Sequence, residues 1–310
     1  KYILSLPLSV SDLRLLSHKK VSKILNLWYN LINCKLITSG RLFMNHLSQK
    51  KLFLFDIDGT IAVGNDLLDG TLELLNYIEE VGGKAYYITN NSTKSNSDYV
   101  EKFRHAFGLE TTEDLFITSG YMMLQFLLKN YKQEKIFVLG TASFIAELRK
   151  NGLHIVETCQ ENIACVVAAY DSELNYGKLI EACKVLSTTD VPFYATNPDL
   201  CCPIDFGFIP DCGAICEMIT HSTGKEPIYL GKPSAEVVRV CQEASGFTAE
   251  ETLVVGDRLY TDIACGINAG VDTCVVYTGE AKADDMADTP YPATYRYENV
   301  RELLEAIKQS

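Results

Sequence analysis

The sequence predicts an α/β fold: a Rossmann-like, doubly wound, mostly parallel sheet with helices on both faces. Three observations predict it. From residue 51 onward, short apolar runs alternate with turns and amphipathic stretches. Polar motifs follow several of those runs, where the carboxyl ends of parallel strands would gather a ligand. A length of 310 residues suits two domains, and no internal repeat at solenoid periods competes with that reading.

Lys51–Phe55 reads as a buried strand. Asp69 is the expected N-cap of a helix with Leu72, Leu75, Ile78 and Val81 on one side, closed by Gly82-Gly83. Lys84–Ile88 is the next strand and Ser92 to Phe107 the next helix. Ile136–Leu139, Cys165–Tyr170 and Phe193–Ala195 read as further strands separated by helical stretches. Ile228–Leu230, Leu253–Val255 and Thr273–Tyr277 complete the set, with helices at Ala235–Ala244 and Thr261–Ala269. Strands alternating with helices over this length imply a largely parallel sheet covered on both faces.

Composition narrows the function. Hydrophobic residues make up 47% and charged residues 22%, which excludes disordered and collagen-like classes. The net charge of −12 argues against nucleic acid or an anionic membrane as the main partner. No apolar run reaches the length of a bilayer-spanning helix.

The charge is unevenly spread. Residues 1–43 carry Lys1, Arg14, Lys19, Lys20, Lys23, Lys35 and Arg41 against Asp12 alone. From totals of 28 basic and 40 acidic side chains, this leaves 21 and 39 for residues 44–310, a net −18. The first 43 residues thus read as a basic leader without a convincing signal-peptide pattern. Gly40-Arg41 can be encoded by a purine-rich stretch just upstream of Met44, so Met44 is the expected true start. Eleven cysteines, an odd number without a C-x-x-C, read as reduced thiols of a cytoplasmic protein.

Four strand ends carry chemistry. In Phe53-Leu54-Phe55-Asp56-Ile57-Asp58-Gly59-Thr60, two carboxylates two apart leave an apolar strand together. One can attack phosphorus while the other handles a proton. A calcium loop fails, since Leu67 stands at the twelfth position. In Ile88-Thr89-Asn90-Asn91-Ser92 a hydroxyl and amides open a helix and can cradle phosphate oxygens, though an ordinary N-cap explains them as well. Gly231-Lys232-Pro233 offers a point charge for a phosphoryl group, or a solvated lysine before a helix. Gly256-Asp257-Arg258-Leu259-Tyr260-Thr261-Asp262 brings two more acids, suited to Mg²⁺ or to a solvated loop.

Together, in this order, the four motifs resemble the haloacid dehalogenase superfamily, and residues 51–310 resemble its NagD-like, p-nitrophenyl phosphatase branch. Tyr170-Asp171, Leu174-Asn175-Tyr176-Gly177-Lys178-Leu179, Ala195-Thr196-Asn197-Pro198-Asp199 and Gly213-Ala214-Ile215 extend the likeness. Pro210-Asp211 stands where many relatives have Pro-Gly. The resemblance implies a core at 44–128 and 225–310, with an α/β cap at 129–224. It implies a Mg²⁺-dependent phosphomonoester hydrolase acting on a small phosphorylated metabolite, with a possible homodimer through the cap.

The roles that follow from the resemblance are specific. Asp56 is the nucleophile and a metal ligand; Asp58 is the general acid and base and gives its carbonyl to the metal. Thr89 and Asn90 hold phosphoryl oxygens, Lys232 offsets charge, Asp257 ligates Mg²⁺, and Asp262 orients Lys232 or sits behind the ligands. Asn197 and Asp199 are candidates for substrate selection. Two alternatives stand beside this reading: a phosphotransferase or mutase on the same fold, and a non-catalytic phospho-acceptor or metabolite sensor. A G-x-S-x-G hydrolase, an H-E-x-x-H metalloprotease and a P-loop are excluded, since none of those patterns occurs.

Overall fold

The computed structural model describes residues 46–310 apart from Asp205, so the expectations for residues 1–43 and Met44 lie outside the described residues. Strand β1 (Leu52–Phe55) is followed by a small flap, β2 (Ala62–Val63) and β3 (Asp66–Leu67), then by β4 (Lys84–Thr89) and β5 (Phe116–Thr118). Next come β6 (Lys135–Leu139), β7 (His154–Val156), β8 (Ile163–Ala168) and β9 (Phe193–Ala195). A hairpin of β10 (Cys201–Ile204) and β11 (Gly207–Pro210) precedes β12 (Ile228–Tyr229). Strands β13 (Thr252–Gly256), β14 (Asp272–Val276) and β15 (Tyr295–Tyr297) end the series.

These strands build two parallel sheets. The first has the order β15-β14-β13-β1-β4-β5. From β1 the chain runs outward through β4 and β5 and later returns on the other side through β13, β14 and β15. The order therefore reverses at β1, where a crevice opens at the strand carboxyl ends. The second sheet has the order β12-β9-β8-β6-β7 and forms the cap layer. Its strand Ile228–Tyr229 lies beyond residue 224 yet pairs with β9.

A parallel strand covered on both faces is apolar throughout, and β1 is fully buried along its length. Phe53 and Phe55 face a core with Leu74, Ile78, Leu303 and Ile307. Leu52 and Leu54 face the opposite core with Tyr86, Ile88, Val237 and Cys241. Helix Ser119–Asn130 serves both layers, placing Met122 in the core under the first sheet and Met123, Leu124 and Leu127 under the second. Among the described residues no helix is long and apolar enough to cross a membrane.

Two expected helices differ in detail. The first spans Thr71–Glu80 behind Gly70, which takes φ 87°, while Asp69 pairs with Arg301 instead of capping. Its buried face is Thr71, Leu74 and Ile78, and Leu72 is exposed. The second starts at Asn96, because Ser95 and Asp98 form a capping box there; it ends at Lys102 and passes into a π turn over Phe103–Phe107. Ser92 is buried in the preceding loop, accepting from the Tyr170 amide.

Candidate active site

Asp56 remains tied to the sheet by donating its amide to the Val255 carbonyl at 2.9 Å. Gly59 then turns the chain at φ 95°, and a Cβ there would stand 2.8 Å from the Asp257 carboxylate. Only glycine allows that approach at that angle. Asp257, just after β13, accepts from the Thr60 hydroxyl at 3.3 Å and from the Glu280 amide at 2.7 Å. Asp262 sits one turn further on and accepts from the Arg258 amide at 3.0 Å.

Lys232 joins these acids. Its ammonium lies 2.5 Å from Asp56 Oδ1 and 2.7 Å from Asp262 Oδ1, and it donates to the Ile88 carbonyl at 3.1 Å. Carboxylate oxygens of Asp56, Asp257 and Asp262 all lie within 4.8 Å of one another, and all three residues are buried. Burial pushes Asp56 well above the usual carboxylate range; Lys232 opposes that, while Asp262 and Asp257 add to it. Burial, then the charge of Asp262, brings Asp257 up to about 6. Burial disfavours the Lys232 charge, but Asp262 and Asp56 overcome it and hold the ammonium above its ordinary range.

Three buried carboxylates facing one lysine leave an excess of negative charge out of water, which is unfavourable until a cation joins them. An all-oxygen donor set of this kind fits a hard divalent ion. The residues present therefore suit Mg²⁺.

Thr89 ends β4 and is buried, its hydroxyl accepting from the Asn91 amide at 3.2 Å. The Asn90 side chain is fully engaged within the protein. Its Oδ1 accepts from the Lys232 amide at 2.8 Å, and its Nδ2 donates to the Lys232 carbonyl at 3.0 Å and to Asp199 at 2.6 Å. Gly231 makes this possible, since a Cβ there would stand 2.6 Å from Asn90 Oδ1 and 2.5 Å from the Thr196 carbonyl.

Asn197 and Asp199, in the loop after β9, reach the same strand ends but are buried. Asn197 donates to Asp199 at 2.9 Å and to Asp211 at 3.1 Å. Asp199 also accepts from Arg258 at 3.0 Å. Asp58 is half-exposed, with Lys102 Nζ 3.6 Å from its carboxylate.

Thr60, Arg258 and Lys102 were not assigned roles from the sequence. Thr60 and Arg258 stand inside the aspartate motifs, so their proximity was readable. Lys102 had no such signal, because its place depends on where its own helix, Asn96–Lys102, begins.

Residues 53–154 match the profile of the haloacid dehalogenase-like hydrolases, and residues 229–303 match the HAD-hydrolase-like profile. The acid sugar phosphatase of Staphylococcus aureus (strain MRSA252) is 31% identical over 264 residues, covering 85% of this chain and 100% of the relative. The crystal structure of 4-nitrophenylphosphatase from Thermotoga maritima superposes with a TM-score of 0.79 at 35% identity, over 84% of this chain and 99% of that one. NagD from E. coli K-12 gives 0.73 at 31% identity, over 82% and 98%. The glycerol phosphate phosphatase of Mycobacterium tuberculosis in complex with magnesium gives 0.76 at 25% identity, over 83% and 78%.

The chain therefore belongs to the haloacid dehalogenase-like hydrolases. Within them it is a NagD-like phosphatase, and the non-catalytic alternative falls away.

Proposed function

We propose that this chain is a Mg²⁺-dependent hydrolase of a small phosphomonoester, such as a sugar phosphate or nucleoside monophosphate, working through an aspartyl phosphate on Asp56. The observation that carries this reading is the Lys232 ammonium between Asp56 and Asp262, with Asp257 completing the acidic group. Asp56 attacks phosphorus and the bond to the ester oxygen breaks, with Asp58 giving that oxygen its proton. Water, deprotonated by Asp58, then attacks the acyl phosphate, and phosphate leaves with Asp56 restored.

The other residues serve those two steps. Thr89 and the Asn90 main-chain amide hold phosphoryl oxygens, the Asn90 side chain being occupied by Lys232. Lys232 offsets charge as the anionic ester meets the anionic nucleophile. Asp56, Asp257 and the Asp58 carbonyl would hold Mg²⁺, which when bound polarises a phosphoryl oxygen and supplies positive charge. Asp262 fixes Lys232.

The cap, which on this reading reaches as far as Tyr229, shapes the space above the phosphate and so selects the substrate. Asn197 and Asp199 act in that selection by setting the cap loop against Asn90 and Arg258. A cytoplasmic place accords with the free, buried thiols of Cys165, Cys212, Cys216, Cys241, Cys265 and Cys274. Dimerisation through the cap would appear directly in sedimentation of the purified chain.

Phosphate release from a panel of phosphomonoesters, with and without Mg²⁺, tests the assignment. Release is expected only with the metal and not from Asp56→Asn. Near-parental release by Asp56→Asn would remove the nucleophile from Asp56. Transfer to an added alcohol in place of phosphate release would favour the phosphotransferase reading.

A further inference from the structure

Among the described residues, Lys102 is the ion-pair partner of the Asp58 carboxylate, with Nζ 3.6 Å from Oδ1. The two side chains differ sharply in exposure: 13% for Lys102 and 46% for Asp58. An exposed pair would contribute little. Here the lysine is the fixed member. Its side chain lies against Phe107 of the π turn that continues the helix, the ammonium 5.5 Å from the centre of that ring.

The same helix sends a second group toward the site. Tyr99, one turn before Lys102, is buried with its hydroxyl against Thr89, without a hydrogen bond of good geometry. Tyr99 and Lys102, one turn apart on this helix, thus reach Thr89 and Asp58.

We propose that Lys102 is a positioning residue for Asp58, its ammonium fixing the half-exposed carboxyl in the orientation that delivers a proton to the leaving oxygen. This rests on the reading of Asp58 as general acid. Lys232 contacts Asp56 and Asp262, whereas the carboxylate that Lys102 faces is that of Asp58, so on this reading Lys102 acts through Asp58. Its effect must then depend on the leaving group. An alkoxide needs a proton as it departs, whereas p-nitrophenolate departs without one.

The test compares kcat/KM for p-nitrophenyl phosphate and for glycerol phosphate in the parent, Lys102→Met, Lys102→Arg and Asp58→Asn. Asp58→Asn should lower the glycerol phosphate value far more than the p-nitrophenyl value. Lys102→Met should shift the same ratio in the same direction, by about tenfold or more, and Lys102→Arg should recover most of it. A selective loss in Asp58→Asn with an equal loss, or none, on both substrates in Lys102→Met would overturn the role of Lys102 and leave Asp58 in place. A raised KM for both substrates at parental kcat would overturn it too, by placing Lys102 on the substrate anion. No selectivity in Asp58→Asn would instead remove the reading of Asp58 itself. Should Lys102→Met fail to fold by circular dichroism, Lys102→Gln is read by the same ratio.

Discussion

Asp199, itself buried, and the partly exposed Arg258 form an ion pair at 3.0 Å that ties the loop after β9, in the cap layer, to the loop after β13, in the core layer. Asp199 also accepts from Asn90 and Asn197, so one carboxylate gathers three donors from separate segments. Through Asn90 the connection continues to both main-chain polar groups of Lys232, and from there to Asp56. The cap is thereby linked to the nucleophile by a continuous set of buried polar contacts.

Asp199→Ala removes that carboxylate and leaves Arg258 and Asn90 without it. Arg258 keeps Glu280 at 3.1 Å, so the cost is that of lost charged hydrogen bonds, about 1.5–3 kcal/mol. Urea unfolding should show a loss of that order, and kcat should fall with it as the Asn90 contact to Lys232 loosens. A loss below about 1 kcal/mol, as for an exposed pair, would show that the contact does not anchor the layers.

Asn90→Ala leaves the buried amide and carbonyl of Lys232 without their side-chain partner. Each buried unsatisfied group costs about 1–3 kcal/mol. A lower unfolding midpoint is expected, with a fall in kcat larger than any rise in KM. A change in KM alone would instead place the side chain on the substrate.

Asp211 supplies a pH dependence. It caps helix Cys212–Thr223 by accepting from the Cys212 amide and also accepts from Asn197. Burial nevertheless brings its carboxyl up to about 6. The folded state thus holds this proton more tightly than the unfolded chain does, so stability falls as pH rises from about 4 to about 6 and levels off above that. The loss amounts to about 3 kcal/mol. Asp211→Asn keeps an accepting oxygen for the cap and cannot ionise, so its stability relative to the parent should improve across that window. Parallel pH profiles for the two proteins, followed by urea unfolding, would contradict this.

Gly231→Ala tests the close approach at the third strand end. Its Cβ would meet the Thr196 carbonyl at 2.5 Å, backbone that cannot move aside cheaply. Phosphatase activity should fall strongly. Parental activity in this variant would mean that the spacing of Asn90 and Lys232 is not critical.

Asp56 and Asp257 were legible in the sequence because each follows an apolar run that forms a buried parallel strand, whereas Lys232 follows a two-residue, partly exposed strand at the end of the cap sheet. Position after such a run fixes where a side chain emerges. Asn197 and Asp199 were legible as a motif, but their burial was not, since it arises from Arg258 and Asn90 approaching from other segments. The capping box at Ser95 and Asp98 was overlooked, and with it the start of the helix that carries Tyr99 and Lys102. Strands β5, β7 and β15 have three residues each and were not read from the sequence, whereas the equally short β9 was. That the strands divide between two sheets depends on pairing alone.

The central claim is that phosphorus passes through Asp56. Enzyme quenched during turnover of a phosphomonoester with Mg²⁺ can be reduced with borohydride, which converts an aspartyl phosphate to homoserine, and then mapped by peptide mass spectrometry. The account predicts homoserine at residue 56 in the parent and none in Asp56→Asn. Sustained phosphate release with residue 56 unmodified, or with the change at another carboxylate, would contradict it.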